Sequence, residues 1–295
     1  MTSDSAPAIS VILPVRDAAG TLAMAVESIV RQSFTDWELL IVPDGSGPAT
    51  REALKKITPD PRIKIIEPGP ARGISRSLNT GVAAARGAFI ARMDADDISY
   101  PDRLAKQLAF LEREPAVDLV GASSLFFDPN GGALGIARTV LGHADICADI
   151  TAGIRLAHPT WMGRRSWFAR NPYNPRYDGV EDQELLLRAW FVSRYANLPD
   201  TLLAYRENAR LGKTLRRRLL LVRAQAAYLR RRRAWRSLGP LLWNNGKRII
   251  GDLAFFLTKA PVFRRRLDPL DDGQRSSWRA LWAGIRGEGP GKIPC

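Results

Sequence analysis

The chain has 295 residues, of which 45% are hydrophobic and 25% charged, with a formal net charge of +14 and only two cysteines. That length and balance belong to a folded protein with one large domain, or one and a half, and exclude a disordered or collagen-like chain. Cys147 and Cys295 make neither a disulfide framework nor a metal-ligand spacing, so a reducing compartment fits.

The positive charge is confined to one end. Residues 1–205 carry 22 Lys and Arg against 24 Asp and Glu, a net −2, and residues 206–295 carry 22 against 6, a net +16. A neutral body with a basic region suggests a catalytic or binding domain that meets an anionic surface. No run of about 18 apolar residues is present, which argues against a spanning helix. Met1 to Pro7 lack the basic and apolar regions of a signal peptide.

In chain order, Ile9 to Val15 reads as a β-branched strand, and the pattern Leu22, Val26, Ile29, Val30 as a helix opened by Gly20-Thr21. Trp37 to Val42 is a second strand, ending in Pro43-Asp44-Gly45-Ser46-Gly47. Strand, helix, strand predicts a parallel unit, and ligands of open α/β sheets collect beyond the carboxyl ends of strands. Pro14 to Asp17 and Asp44 to Ser46 both fall at such ends, although an Asp-Gly pair also makes a plain turn. A third short strand, Ile63 to Ile66, precedes a Gly/Pro-rich loop over Glu67 to Gly73, a helix over roughly Ser75 to Ala85 that carries Arg76 and Asn79, and a stop at Arg86-Gly87.

The fourth strand, Ala88 to Met93, delivers Asp94, Asp96 and Asp97. If the chain stays extended, Asp94 and Asp96 share a face and Asp97 takes the other. Two carboxylates about 5 Å apart at an effective dielectric near 20 repel by roughly 3 kcal/mol, so a cation belongs between them. A divalent metal such as Mg²⁺ or Mn²⁺ suits hard oxygen ligands. Neutralisation by Arg92 and Arg103, or helix capping by Asp97, are the plainer alternatives. A helix from Pro101 turns Leu104, Leu108 and Leu111 inward, and Val117 to Phe127 is a strand whose Gly121 to Ser124 marks a bulge or a close approach. Residues 128–150 read as loop and short elements. His158-Pro159-Thr160 precedes a turn-rich stretch, and Glu181 and Asp182 open an amphipathic helix through Trp190, well placed against its N-terminal dipole.

Beyond Tyr205, Arg216 to Arg218, Arg230 to Arg233 and Arg264 to Arg266 interrupt apolar runs, with Trp235, Trp243, Trp278 and Trp282 spread among them. Basic residues interleaved with Trp, Phe and Leu predict segments lying in a membrane interface. Nucleic acid is the rival for the same arginines but not for the aliphatic runs, and a solvated basic face over a helical core is the plainest reading.

The ordered set Val11 to Val15, Pro43 to Ser46, Asn79-Thr80-Gly81, Ala91 to Asp97, Pro101 to Leu104, His158 to Thr160, Glu181-Asp182 and Leu198-Pro199 resembles the family 2 glycosyltransferases of GT-A fold, over about residues 8–206. The resemblance implies an α/β fold with a mixed, mostly parallel, Rossmann-like sheet flanked by helices. It divides the chain into a catalytic domain over 1–206, with a nucleotide-sugar half over about 8–127 and an acceptor half over about 128–206. A basic, membrane-associating helical region follows over 207–295.

It further implies inverting transfer from a nucleotide-diphosphate donor, most often a UDP-sugar, to a hydroxyl, with Mn²⁺ or Mg²⁺. Asp44 would bind the base, and Pro14, Val15, Arg16 and Asp17 would line its pocket. Asp94 would face the ribose, Asp96 would take the metal and Asp182 would be the base. Asn79 joins the donor-contacting set, and Arg76 or Arg72 would touch the diphosphate, solvation being the plainer reading for a loop arginine. His158 would join the metal shell, order the acceptor, or serve as a structural histidine held by its proline. Pro43 replaces an acid frequent in the family, Arg16 a Tyr and Asp17 an Asn. No Gln-x-x-Arg-Trp follows Glu181-Asp182, which resembles the non-processive members.

The acceptor expected is a lipid-linked or surface glycan, and the place the cytoplasmic face of a membrane, held peripherally, with no nucleic-acid partner. A sugar nucleotidyltransferase would need a Gly-rich, basic loop after the first strand, and Arg16 to Gly20 matches that poorly. A non-catalytic membrane-docking relative would not need Asp94, Asp96 and Asp182 together.

Overall fold

The structure, a computed structural model, describes residues 5–66, 72–207, 211–258 and 267–287. Most of the Gly/Pro-rich loop, the run Arg264 to Arg266 and Cys295 lie outside the described residues. The first half alternates as the sequence reading expects: β1 (Ile9–Val15), α1 (Leu22–Val30), β2 (Trp37–Pro43), α2 (Pro48–Lys55), β3 (Ile63–Ile65), α3 (Ile74–Ala84) and β4 (Phe89–Arg92). Helix α2 is the addition. It is short, with Pro48 at its start and only Thr50 and Leu54 buried, so its apolar periodicity is too thin to stand out.

There follow β5 (Ile98–Ser99), α4 (Arg103–Arg113), β6 (Leu119–Phe127), β7 (Ala133–Ala137), α5 (His143–Ile146), β8 (Met162–Arg164), α6 (Arg165–Arg170), α7 (Glu181–Ala189) and β9 (Tyr195–Arg206). The strands form one sheet in the order β3-β2-β1-β4-β8-β6-β9-β5, with β7 on β6. Strands β3, β2, β1 and β4 are parallel, as are β6 and β9, and the β1–β2 and β6–β9 pairs hold the longest registers. Strand β8 bridges the halves antiparallel to both β4 and β6.

The two-residue period sorts the core. Ile9, Val11, Leu13 and Val15 of β1 face α1, α2 and α4 on one side, while Ile12 packs with α3, α6 and α7 on the other. Near Gly121 the β6–β9 register shifts at Ala122 to Ser124, and a side chain at Gly121 would run into Asn197 Oδ1, so the close approach is by protein.

The basic region is not a free appendage. Helices α8 (Leu211–Arg231) and α9 (Leu238–Thr258) form an antiparallel hairpin. Arg218 binds Asp252 at 2.9 Å and Gln225 meets Asn245 at 3.3 Å, seven residues on in α8 and seven back in α9. Leu229 and Leu241, each 1% exposed, continue that register toward the tip. The hairpin docks on the loop before the 3-10 turn at His158: Gln225 donates to the Ile150 and Thr151 carbonyls (2.6 and 3.0 Å), Asn244 to Thr151 Oγ1 (2.9 Å), and Arg248 to the Ala152 carbonyl.

Helix α10 (Asp272–Ile285) overturns part of the interfacial expectation. Its Trp278 is 2% exposed, stacks on Phe127 and Trp282 and donates to the Gly131 carbonyl at 2.8 Å. Trp278 and Trp282 belong to a third core cluster, with Ile98, Leu125, Phe127 and Leu270, that caps the β5 end of the sheet. The apolar face of α10 meets protein, whereas Trp235 and Trp243 are exposed.

Candidate active site

Strand β4 ends at Arg92 and the chain turns at once, Asp97 N–H reaching the Asp94 carbonyl at 3.3 Å. The strict alternation expected from sequence would send Asp97 to the far face. The turn instead brings oxygens of Asp94, Asp96 and Asp97 within 4.8 Å of one another.

Arg92, 3% exposed, grips Asp94 with both terminal nitrogens, at 2.6 and 2.9 Å. Burial works against its charge, but Asp94 first, then Tyr173, Glu181 and Asp97, hold its pKa above the ordinary value. Arg103 does not reach the acids by hydrogen bond. It donates to the carbonyls of Arg92 (2.6 Å) and Trp161 (3.3 Å), while Arg92 makes the direct ion pair with Asp94 and its charge also acts on Asp97.

Asp97 is buried; its Oδ1 accepts from Arg206 N–H at 3.0 Å, and its Oδ2 is buried without a hydrogen-bond partner. Burial, with Asp94 and Asp96 beside it, pushes its pKa well above the usual carboxylate range. Arg206 also donates Nε to the Asp96 carbonyl at 3.0 Å and lies over the Phe127 and Trp282 rings, so the third core cluster braces the turn. A buried carboxylate oxygen left open beside two more carboxylates is the donor set that a hard divalent cation fits.

Across from this turn, α7 opens with Glu181 and Asp182. Glu181, 4% exposed, accepts from Gly179 N–H at 2.6 Å, and burial, then Asp182, raises its pKa to about 7. Asp182 is half-buried and also raised, by burial, with Arg217 and Arg92 pulling the other way. Tyr173 feels Arg92, Glu181, Asp182 and Asp94 together, so the two acidic groups share their neighbours.

His158 lies in a 3-10 turn outside the three-acid cluster. Its Nε2 is 3.0 Å from Tyr173 Oη and its Nδ1 3.7 Å from Glu181 Oε1. Burial, then Arg92 and Arg217, drives its pKa well down, so the ring is neutral and the Glu181 contact is not an ion pair. With both nitrogens facing protein, the fold gives His158 the place of a structural bridge between Tyr173 and Glu181 and does not bring it to the metal shell.

The remaining predicted positions divide. Asp44 is buried; its Oδ1 accepts from the N–H groups of Arg72 (2.7 Å) and Gly73 (3.1 Å), and its Oδ2 lies 3.9 Å from Arg16. Gly73 has φ +90°, and a side chain there would strike Asp178, so this loop takes glycine for a reason. Asp17 is exposed at φ 48° and accepts from Gly47 N–H at 3.2 Å; Arg16 beside it is exposed. Pro14 is half-buried. Val15 points into the core, and its carbonyl accepts from Asp44 N–H and Ser46 Oγ. Arg76 is exposed on the first turn of α3. Asn79 spends its amide on the backbone of Tyr173, donating at 2.9 Å and accepting at 2.9 Å, so it sets Tyr173 and through it His158.

The sequence reading missed Tyr173, Arg206 and Arg217. Arg217 stands on the first turns of α8 and, with Ile74, Asp178, Glu181, Arg216 and Leu220, lines a cleft of about 440 Å³. Its signal was masked by the Arg216 to Arg218 run, read as interfacial charge. Arg206 ends a strand at the supposed domain boundary, and nothing local marks Tyr173.

A mixed sheet that delivers an acidic turn to its carboxyl edge, faced by a Glu-Asp pair at a helix N-terminus, defines an α/β group-transfer enzyme of GT-A type. The profile of the family described as "Glycosyl transferase family 2" matches residues 10–169. The chain belongs to that family and is a glycosyltransferase.

Among its relatives, "Putative glycosyltransferase EpsE" of Bacillus subtilis is 39% identical over 212 residues, covering 70% of this chain and 75% of that protein. The "PGL/p-HBAD biosynthesis glycosyltransferase Rv2957" of Mycobacterium tuberculosis is 31% identical over 222 residues, 72% of this chain and 81% of that one. Two solved structures share the fold. The mannosyltransferase PcManGT of Pyrobaculum calidifontis, in complex with GDP-Man and Mn²⁺, aligns with TM-score 0.59 at 20% identity, over 99% of this chain and 78% of its own. TarS 1-349 of S. aureus, in complex with UDP-GlcNAc, aligns with TM-score 0.58 at 15% identity, over 96% and 81%.

Proposed function

We propose that the chain is a metal-dependent, inverting, non-processive glycosyltransferase. It moves a sugar from a nucleotide-diphosphate donor, first a UDP-sugar, to a hydroxyl of a lipid-linked or surface-glycan acceptor at the inner face of a membrane. The observation that carries this reading is that Arg92, which grips Asp94 of the acidic turn, also acts by its charge on Glu181 and Asp182, while His158 links Glu181 to Tyr173. The ligands named for PcManGT and TarS support the donor class and the divalent ion.

Asp96 and Asp97 would hold the cation, with Asp94 turned by Arg92 toward the ribose. When bound, a divalent cation supplies Lewis-acid stabilisation of the leaving diphosphate. Asp182 accepts the proton of the attacking hydroxyl, a role that suits a half-buried carboxylate of raised pKa. Glu181 is held by Gly179 and faces His158, which fits it to orient rather than to react. The diphosphate leaves without needing a proton, so the site requires no second acid.

A panel of nucleotide sugars with Mn²⁺ or Mg²⁺ tests this by thermal unfolding. At one hundred times Kd a ligand contributes about 2.7 kcal/mol, roughly 5–10 °C for a domain of this size. A shift with a UDP-sugar that requires the cation is expected, and no shift with any nucleotide sugar under either cation sinks the donor assignment. Arg217→Gln is expected to move the acidic limb of the kcat/KM–pH profile upward, because Arg217 lowers the pKa of Asp182. A profile that falls in height with its limb unmoved would remove Arg217 from the environment of the base.

A further inference from the structure

The α8–α9 hairpin that lines the cleft with Arg216, Arg217 and Leu220 spends its polar side chains on its inner side, on the Ile150–Ala152 backbone and on each other. Its outer side has no such partner among the described residues. Leu242, Trp243, Ile250, Leu253 and Leu257 recur at helical spacing on the outward face of α9. They are exposed at 66%, 68%, 68%, 37% and 82%. Trp243 to Leu257 covers about 21 Å of helix. A face that long and that open is an interaction surface.

The charge around it is of one sign. Residues 211–258 carry twelve Lys and Arg against a single acid, Asp252, which is paired with Arg218 on the inner side. Lys247 flanks the stripe with its ammonium 5.2 Å from the Trp243 ring centroid. At the hairpin tip Arg230, Arg231, Arg232, Arg233 and Arg236 are all exposed, with Trp235 among them. Arg232 lies 4.1 Å over Phe191, whose neighbour Val192 is 84% exposed, so the cationic and apolar surface continues onto the catalytic body.

We propose that the outer face of α9, together with the cationic tip, docks flat on an anionic lipid surface and so sets the mouth of the cleft at headgroup level. An apolar stripe for the acyl boundary and a one-signed fringe for the headgroups are the two halves of an interfacial helix. None of the described helices is long and apolar enough to cross a membrane, which is consistent with a helix lying in its plane. A second copy of the chain fits worse, since a two-fold contact through α9 would press two net +11 hairpins together. Nucleic acid would use the arginines and leave the aliphatic stripe in water. By the hairpin register, Leu253 lies level with Arg217 in the cleft wall, so the membrane plane and the site meet along one pair of helices. Taken with the transferase reading, on which this last step rests, the acceptor is an amphiphile that presents its hydroxyl at the lipid surface. It is not a free soluble sugar.

Co-sedimentation of the full chain with vesicles of phosphatidylcholine, with and without phosphatidylglycerol, tests the docking without any turnover. Binding is expected only with the anionic lipid. Trp243→Asp with Ile250→Asp is expected to weaken it tenfold or more, and Arg232→Glu with Arg233→Glu by about fivefold or more for each charge reversed. Both variants should keep the cation-dependent melting shift with donor, which shows that they fold. Variants that sediment like the parent protein overturn the proposal. So does light scattering of a lipid-free dimer that Trp243→Asp disperses, which would assign the face to a second copy, or binding to duplex DNA in place of vesicles. Loss of the donor shift with vesicle binding intact would count against the transferase reading and leave the docking face standing.

Discussion

Asp182→Asn is expected to lower kcat by about 10²–10⁴-fold, the usual span for removing a general base, while the melting shift produced by donor and cation stays within a degree or so of the parent protein. Asn keeps the shape and the helix N-terminal position but cannot take a proton. Glu181 is the competing candidate, because its pKa of about 7 is better matched to neutral pH. Its contacts argue against it although it lines the cleft: one oxygen is held by Gly179 N–H at 2.6 Å and the other faces His158 at 3.7 Å. Glu181→Gln is therefore expected to affect KM and kcat together and modestly, through the His158–Tyr173 bridge.

The pH profile adds a second check. As the proposed base Asp182 must be unprotonated to act, and burial raises its pKa, so the rate should fall with decreasing pH at a limb above the ordinary aspartate range. Full loss of turnover in Glu181→Gln together with survival of Asp182→Asn would transfer the base to Glu181.

The halves of the molecule differ in how far they could be read. Helices α1, α3, α4 and α7 announce themselves because each buries one regular face, and strands β1, β2, β4 and β6 because they are covered on both faces and so read as continuous apolar runs. Helix α2 failed that test with two buried positions, and β8 and β9 are set by a sheet whose order, β4-β8-β6-β9, no local pattern encodes.

Within the site, the acids were legible as residue types, but their arrangement depended on a turn after Met93 that a period-two extrapolation cannot contain. Asn79 and His158 were legible as polar residues near the site and illegible in role, since both are consumed by Tyr173, 94 and 15 residues away in the chain. Trp278 and Trp243 illustrate the same limit for the basic region. Both stand on amphipathic helices near arginines, and only the third dimension tells that one covers Phe127 and the other faces solvent.

Asp97→Asn is expected to separate stability from metal binding in opposite directions. In the metal-free protein Asp97 is buried beside Asp94 and Asp96 with Oδ2 unpartnered, and its folded pKa is raised well above that of the unfolded chain. As pH rises from about 4, the unfolded chain gives up this proton first, so stability falls with pH until the folded group also ionises. Asn abolishes that loss. The metal-free variant should melt higher than the parent protein, by a margin that grows with pH across this window.

With Mn²⁺ or Mg²⁺ the order is expected to reverse. On the proposed site the parent protein would gain stability by ion binding and release the Asp97 proton as it does so, which would make its metal affinity rise with pH. Changing outer-shell partners alone typically costs 10–100-fold in affinity, so loss of a direct carboxylate is expected to cost at least about 100-fold and to carry transfer activity down with it. Calorimetric titration in two buffers of different ionisation enthalpy measures both the affinity and the released proton. A variant that retains the cation-dependent melting shift, or a parent protein that binds the ion without releasing a proton, would remove Asp97 from the ligand set and leave Asp94 and Asp96 to hold it.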